Sequence, residues 1–215
     1  MSNEKKVAII GVGNIGTAIA TNTVKGNRPV ILASRKLEDA EALSNKLGDL
    51  ATAAEIPDAI NQADIVVVAV WFNSIQEVFT TYKKELEGKI IIDPSNAIAV
   101  DDKGNVTKTI PDNESAGQIN AQNLPKNATL VKAMGSLSAH SLATASFQQP
   151  NEAVLFYATD NTDIDTDVEK FIHDNGYEAL RVGKLDQSRR IEVLGDLNEF
   201  SIKKTVDLDE AKTKI

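Results

Sequence analysis

Residues 11 to 16 read Gly11-Val12-Gly13-Asn14-Ile15-Gly16, directly after the apolar run Val7 to Ile10 and directly before a stretch of helical periodicity. That order suits a pyrophosphate. Gly11 permits a tight turn, Gly13 lets the backbone approach an anion, and Gly16 lets the helix pack on the strand. The helix N-terminus, at Asn14 and Ile15, offers unpaired N–H groups. A second signal follows the next apolar run, Val30 to Ala33. An acidic residue there would bind the ribose 2′-hydroxyl of NAD, but the chain has Ser34-Arg35-Lys36 instead. A hydroxyl followed by two cations suits a 2′-phosphate, which a guanidinium can hold through two parallel bonds. These residues predict an NADP(H) site.

Ligands of an open α/β sheet lie outside the carboxyl ends of its strands, so the residues just past each apolar run complete the candidate set. Val70 and Trp71 are expected near the ribose and nicotinamide, with Phe72 assigned to the core. The turn Asp93-Pro94-Ser95-Asn96 contributes Asn96, and Lys132-Ala133-Met134-Gly135-Ser136 contributes Ala133 and Met134. His140 is the candidate proton donor, since its ordinary pKa suits the task, and Lys132 is the second choice. The alternative for His140 is a satisfied loop histidine, and His173 is expected at the surface. No Ser/His/Asp set or paired carboxylates emerge. Hydride transfer to another planar redox ring needs alignment more than a protein acid, whereas reduction of a carbonyl or imine calls for a proton donor.

The elements that must position these residues follow from periodicity. Apolar runs recur at Val7 to Ile10, Val30 to Ala33, Ile65 to Phe72, Ile90 to Ile92, Leu130 to Ala133 and Ala153 to Ala158, continuous rather than alternating. Such runs predict strands covered on both faces of a parallel sheet. Helices are predicted over Asn14 to Val24, Leu37 to Leu47 with a stop at Gly48, and Thr166 to Asn175 with a stop at Gly176. Ser115 should cap a short helix reaching Gln122, Glu178 to Val182 should be a strand, and a last helix should cover Gln187 to Phe200. Ala97 to Ile110, with a polar centre at Asp101 to Asn105, reads as a hairpin-like excursion or mobile loop.

The fold class is therefore α/β: an NAD(P)-binding Rossmann fold, a doubly wound and mostly parallel sheet with a short C-terminal α/β extension. One domain is expected over 1–200, with its core at 6–134 and its C-terminal part at 135–200, followed by an exposed charged tail at 201–215. The formal net charge of −8 argues against a basic surface for nucleic acid or anionic membrane. The absence of cysteine excludes disulfides and thiolate metal sites, and with only two histidines no metal centre is expected. The longest apolar run, Ile65 to Phe72, is too short to span a bilayer, and no signal peptide is legible. A cytoplasmic location without membrane partners is expected.

In six blocks the chain resembles the NADPH-dependent deazaflavin coenzyme reductases, also called 8-hydroxy-5-deazaflavin:NADPH oxidoreductases. They are KVAIIGVGNIGTAIA at 6–20, ASRK at 33–36, ADIVVVAV at 63–70, KIIIDPSN at 89–96, LVKAM at 130–134 and GKLDQSRRIEVLGDL at 183–197. The last is the most discriminating. The resemblance implies a 2′-phosphate site at Ser34 and Arg35, a second pocket for a deazaflavin or flavin ring against the nicotinamide, and a homodimer. The sequence departs from the family at Asn96-Ala97, where Asn-Pro is usual, and at Met134-Gly135, where Phe-Asn is usual. The reaction implied is hydride transfer between NADP(H) and a small-molecule acceptor of flavin or deazaflavin type. The alternatives are a carbonyl or imine reductase resembling pyrroline-5-carboxylate reductase, opposed by the short C-terminal part, and an NADP(H)-binding redox sensor without turnover. Titration with both cofactors checks the cofactor reading: NADPH should bind more tightly than NADH, and equal affinity would overturn it.

Overall fold

A computed structural model describes residues 4–215, so residues 1–3 of the expected domain lie outside it. The elements run β1 (Val7–Ile10), α1 (Asn14–Lys25), β2 (Val30–Ala33), α2 (Leu37–Leu47), β3 (Ala51–Ala53), α3 (Ile56–Gln62), β4 (Ile65–Val68), α4 (Phe72–Thr81) and β5 (Ile90–Asp93). A hairpin follows, β6 (Ile98–Val100) and β7 (Val106–Lys108), then α5 (Ala116–Ala121), β8 (Thr129–Lys132) and α6 (Ala139–Thr144). The chain ends with β9 (Val154–Thr159), α7 (Asp165–Asp174), β10 (Glu178–Gly183), α8 (Ser188–Ile191), α9 (Glu199–Ile202) and α10 (Leu208–Lys212).

The main sheet has eight strands in the order β3-β2-β1-β4-β5-β8-β9-β10. All neighbours are parallel except β8 and β9, which meet antiparallel at Val131↔Thr159 and Lys132↔Ala158. The predicted doubly wound, mostly parallel sheet and its C-terminal extension are thus present. The continuous apolar runs have the reason expected of them. On β1, Val7 and Ile9 enter one core cluster and Ala8 and Ile10 the other, and β4 divides in the same way. Ala18 and Ile19 of α1, Leu142 of α6 and Phe171 of α7 cover the first face, and Ile60 of α3 with Ile75 and Phe79 of α4 cover the second.

Five elements escaped the sequence reading, α6 and α10 among them. β3 is three residues long, below the length at which a pattern shows. The helix α3 carries Pro57 in its first turn, where a missing N–H costs nothing. The run Ile65 to Phe72 is not one strand: β4 stops at Val68, and Phe72 opens α4. Phe72 is half-buried there and outside the core clusters, which corrects its assignment to the core.

Two C-terminal expectations also need correction. The single helix over Gln187 to Phe200 is broken, because Glu192 is extended (ψ 162°) and Leu194 is left-handed (φ 73°) between α8 and α9. Gly195 closes this turn, and a Cβ there would lie 2.2 Å from the Arg189 carbonyl oxygen. Nor is the tail a solvated appendage. Val206 and Ala211 are buried with Val154, Phe156 and Ala158 of β9, Ile191 and Leu197, and Val154 N–H donates to the Val206 carbonyl at 2.8 Å. The β9 face turned away from α7 is apolar, and the tail is what removes it from water.

The excursion at 97–110 is the antiparallel pair β6–β7, separate from the main sheet. Its turn is held by Asp101, whose carboxylate accepts from the backbone N–H of Lys103 and Asn105 and from the Asn105 amide. These bonds, the Asn105 side chain foremost, hold the Asp101 carboxyl below its usual range. No helix among the described residues is long and apolar enough to cross a membrane. Placing a charge at Ala211, whose side chain is wholly buried, should expose the β9 face. Ala211→Asp is expected to cost about 2–4 kcal/mol, read as a lower urea midpoint with an unchanged NADPH Kd.

Candidate functional site

The strand order reverses between β1 and β4, so the crevice between their carboxyl ends is the topological switch point of the sheet. The glycine turn lies there. Gly11 N–H donates to the Ala33 carbonyl of β2 at 2.8 Å, and Ala69 N–H, just past β4, donates to the Ile10 carbonyl at 2.8 Å. The three glycines answer to different demands. Gly11 has φ 98°, and a Cβ on it would stand 2.5 Å from the Ala69 carbonyl oxygen; one on Gly16 would stand 1.9 Å from the Gly11 oxygen. Those two close the turn and seat the helix. Gly13 meets nothing within 4 Å, so its missing side chain leaves open space rather than relieving a clash.

Gly13 is also the N-cap of α1, and no side chain caps that end. The first intrahelical bond runs from Thr17 N–H to the Gly13 carbonyl at 2.8 Å, which leaves the amides of Asn14, Ile15 and Gly16 without a partner inside the helix. Thr17 Oγ1 donates to the Val12 carbonyl at 2.9 Å and steadies the approach. The arrangement is an anion site made of backbone N–H groups and the positive end of a twelve-residue helix.

The neighbouring strand ends bring in the residues expected beside it. Ser34 is half-buried just past β2, while Arg35 and Lys36 are exposed and take part in no ion pair among the described residues. Lys36 is the N-cap of α2, again without a side-chain cap. Val70 packs against the turn, its Cγ1 lying 3.2 Å from where a Gly11 Cβ would be. Trp71, at the N-cap of α4, is 70% exposed, so its ring is a free platform rather than part of the core.

At the ends of β5 and β8 the structure gives the predicted residues other work. Asp93 and Lys132 are register partners on adjacent strands, both buried, with Lys132 Nζ 3.5 Å from Asp93 Oδ1. The ammonium also donates to the carbonyls of Asp93 and Ser95, and the carboxylate accepts from Ser95 N–H and the Asn120 amide. Lys132 is therefore fully used and is not the second-choice proton donor. Asn96 is a strut: its Oδ1 accepts from Val193 N–H at 2.7 Å and its Nδ2 donates to the Gly135 carbonyl at 3.0 Å. Ala133 and Met134 are buried in the core, and Met134, wholly inaccessible, has φ 65°. Both side chains are turned into the core, and the Asn96 amide is bonded inside the protein.

Sequence reasoning missed the C-terminal segment as a wall of this region. The Glu192 carboxylate, buried, accepts from the backbone N–H groups of Ala116 and Gly117 at 2.9 Å each and so caps α5 from 75 residues away. Asn198 donates to the carbonyls of Gly135 and Ile191, and Glu199 N–H donates to the Ser136 carbonyl at 2.9 Å. The Glu199 carboxylate accepts from Ser138 N–H and Ser141 Oγ at 2.6 Å each. Burial, then Glu199, pushes the neighbouring Tyr177 hydroxyl far above its usual range, and it donates to the Leu142 carbonyl. A legible signal did exist. A lysine inside LVKAM and an acid ending IIID are opposite charges in buried strands, and such charges require partners.

His140 is exposed on α6, and His173 is exposed on α7 as expected. No cluster of metal-ligating side chains occurs among the described residues.

Comparison with known proteins completes the picture. Residues 6–97 match the family described as NADP oxidoreductase coenzyme F420-dependent. This stretch, with its dinucleotide turn, is similar to that family. The chain is 27% identical to the F420-dependent NADP reductase of Methanocaldococcus jannaschii, over 89% of this chain and 90% of that protein. A solved structure of a hypothetical protein from Sinorhizobium meliloti superimposes with TM-score 0.81 at 27% identity, covering 94% and 95% of the two chains. One from Arthrobacter, described as a putative F420-dependent NADP-reductase, gives TM-score 0.75 at 18% identity over 88% and 90%, a likeness of fold.

The different demands on the glycines can be separated experimentally. Gly13→Ala should leave the thermal midpoint nearly unchanged, because nothing meets its Cβ, yet weaken NADPH binding about tenfold or more by occupying space over the anion site. Gly16→Ala should lower stability and binding together.

Proposed function

We propose that the protein transfers hydride between NADP(H) and a flavin-like or deazaflavin-like small-molecule acceptor. The observation that carries the reading is the uncapped N-terminus of α1 beneath an open Gly13, with Ser34 and Arg35 at the end of the adjacent strand where an acid would mark NAD. The names of the family and of the Methanocaldococcus relative support an NADP-dependent oxidoreductase.

In this reading the amides of Asn14, Ile15 and Gly16 hold the pyrophosphate, and the Arg35 guanidinium and Ser34 hydroxyl hold the 2′-phosphate. Lys36 adds positive potential there. Val70 bears on the ribose side, and Trp71 offers a flat apolar surface beside the reacting ring. NADP(H) supplies the hydride. The residues of the protein align two planar rings and keep their faces in contact, which is most of what such a transfer asks of a protein. The acceptor side supports the same reading: the Lys132 ammonium is committed to Asp93 and Ser95, and His140 stands exposed. The carbonyl or imine alternative would need one of them as its proton donor.

Arg35→Asp tests the cofactor half. NADPH affinity should fall about 10- to 100-fold, the range of one or two charge-assisted bonds, while NADH affinity changes far less. A uniform loss would mean that Arg35 does not face the 2′-phosphate. The acceptor half is tested by NADPH oxidation against flavins, a deazaflavin, quinones and ferric chelates. Tight NADPH binding with no oxidation by any of them would leave a redox sensor in place of the enzyme.

A further inference from the structure

Residues 188–199 lie between two other parts of the molecule. On one side Val193 N–H donates to Asn96 Oδ1 at 2.7 Å and the Glu192 carboxylate takes the amides of Ala116 and Gly117, which ties the segment to the turn beyond β5 and to α5. On the other side Ile191 and Leu197 are buried with Val206 and Ala211 of the tail. Little in the segment holds itself. Its helices α8 and α9 have four residues each and α10 of the tail has five, far below the length at which a helix is stable alone. Between α8 and α9 the chain turns at Leu194, whose φ of 73° is costly for a bulky side chain.

Arg190 fastens these pieces together. It bonds Asp196, beyond the turn at Leu194, through Nε and Nη2 at 2.8 to 3.2 Å, and Nη2 also donates to the Lys214 carbonyl of the tail at 2.7 Å. Its own carbonyl accepts from Leu197 N–H at 2.8 Å, so both ends of the turn meet at this residue. The tail is held to the body a second time, by Val154 N–H on the Val206 carbonyl at 2.8 Å and by Asn151 Nδ2 on Asp207 at 3.2 Å. Within it Glu210 pairs with Lys204 at 2.7 Å and with Lys214 at 3.4 Å, which folds its last turn onto itself.

A surface ion pair by itself contributes little stability. Here a two-pronged guanidinium joins separate segments, and what it contributes is position. The receiving side has use for that. The residue after Asn96 is alanine, whose φ no ring restricts, so the exit of the turn beyond β5 is fixed by the bonds of Asn96 to Val193 and Gly135.

We propose that residues 203–215 are a strap, fastened through Arg190, that sets the position of residues 188–199 and, through Val193, that of Asn96. Arg190 is then a positioning residue for the hydride transfer, a role that rests on the reading above. With the strap fastened, the turn beyond β5 keeps one position. With it loose, the bond between Val193 and Asn96 opens, while the dinucleotide turn, built by β1 and α1, is unaffected.

Amide hydrogen exchange on the full chain reads the strap, and NADPH oxidation by riboflavin reads its consequence. In Arg190→Gln, exchange at Val193 and Leu197 should rise about tenfold, the effect of one charge-assisted contact, while the amides of β1 and α1 keep their native rates. The kcat for riboflavin should fall with the NADPH Kd unchanged. Arg190→Lys, whose single ammonium cannot reproduce the paired contacts, should restore part of both effects. Ala211→Asp loosens the strap on its buried side and should raise exchange at Val193 with Arg190 intact. Exchange at Val193 unmoved by either variant, or rising equally throughout the sheet, overturns the strap and leaves the hydride reading standing. Raised exchange at Val193 with kcat unmoved overturns the positioning role. If exchange at Val193 responds as expected but the native protein oxidises NADPH with none of the acceptors named above, the strap stands and the hydride reading falls.

Discussion

Asp93 and Lys132 stand opposite each other on neighbouring parallel strands, both out of water, and the turns beyond β5 and β8 are arranged around that pair. Two buried charges contribute little net stability, because desolvation offsets their attraction, but removing either partner costs about 3–5 kcal/mol. What the pair supplies is geometry. A one-residue slip of β8 against β5 would carry Lys132 to the other face and strand its partner. With the register held, the ammonium gathers the carbonyls of Asp93 and Ser95 and shapes the turn that presents Asn96. Asn96 then ties that turn to Gly135 beyond β8 and to Val193 in the C-terminal segment.

The two halves of the site are built by opposite means. The donor half is a local device: consecutive residues between β1 and α1 leave backbone amides open, and Gly13 contributes by the absence of a side chain. The wall beyond β5 and β8 is assembled from distant residues whose polar groups largely bond one another, the hydroxyls of Ser95, Ser136 and Ser188 excepted. Glu192 caps α5, Glu199 caps α6, and Asn198 and Asn96 share the Gly135 carbonyl. Open backbone thus forms the dinucleotide turn, and long-range ties hold the wall beyond β5 and β8.

What could be read from the sequence and what could not divides along the same line. The strand, turn and helix over 7–25, the strand over 30–33, the helix over 37–47 and the Ser34-Arg35-Lys36 trio were legible because each is set by neighbours in the chain: apolar runs, glycines where φ or close approach demands them, and side chains that follow a strand end. The hairpin at 98–108 and the Ser115 cap were legible for the same reason. Phe72 was misassigned because the apolar run crosses the β4–α4 junction without a marker, and the helix over 187–200 because nothing local reveals that Gly195 must pack against the Arg189 and Arg190 carbonyls.

By itself the sequence determined the sheet's hydrophobic pattern, the dinucleotide turn and the absence of an acid at the end of β2, all local or periodic properties. Only the tertiary structure decided that Asn96 and Lys132 bond within the protein and Met134 is buried, that the tail covers β9, and that residues 188–199 are tied to the turns beyond β5 and β8. Each of those facts depends on a pairing across tens of residues. A side chain's type states which bonds it can make, and only the folded chain states which of its partners are near.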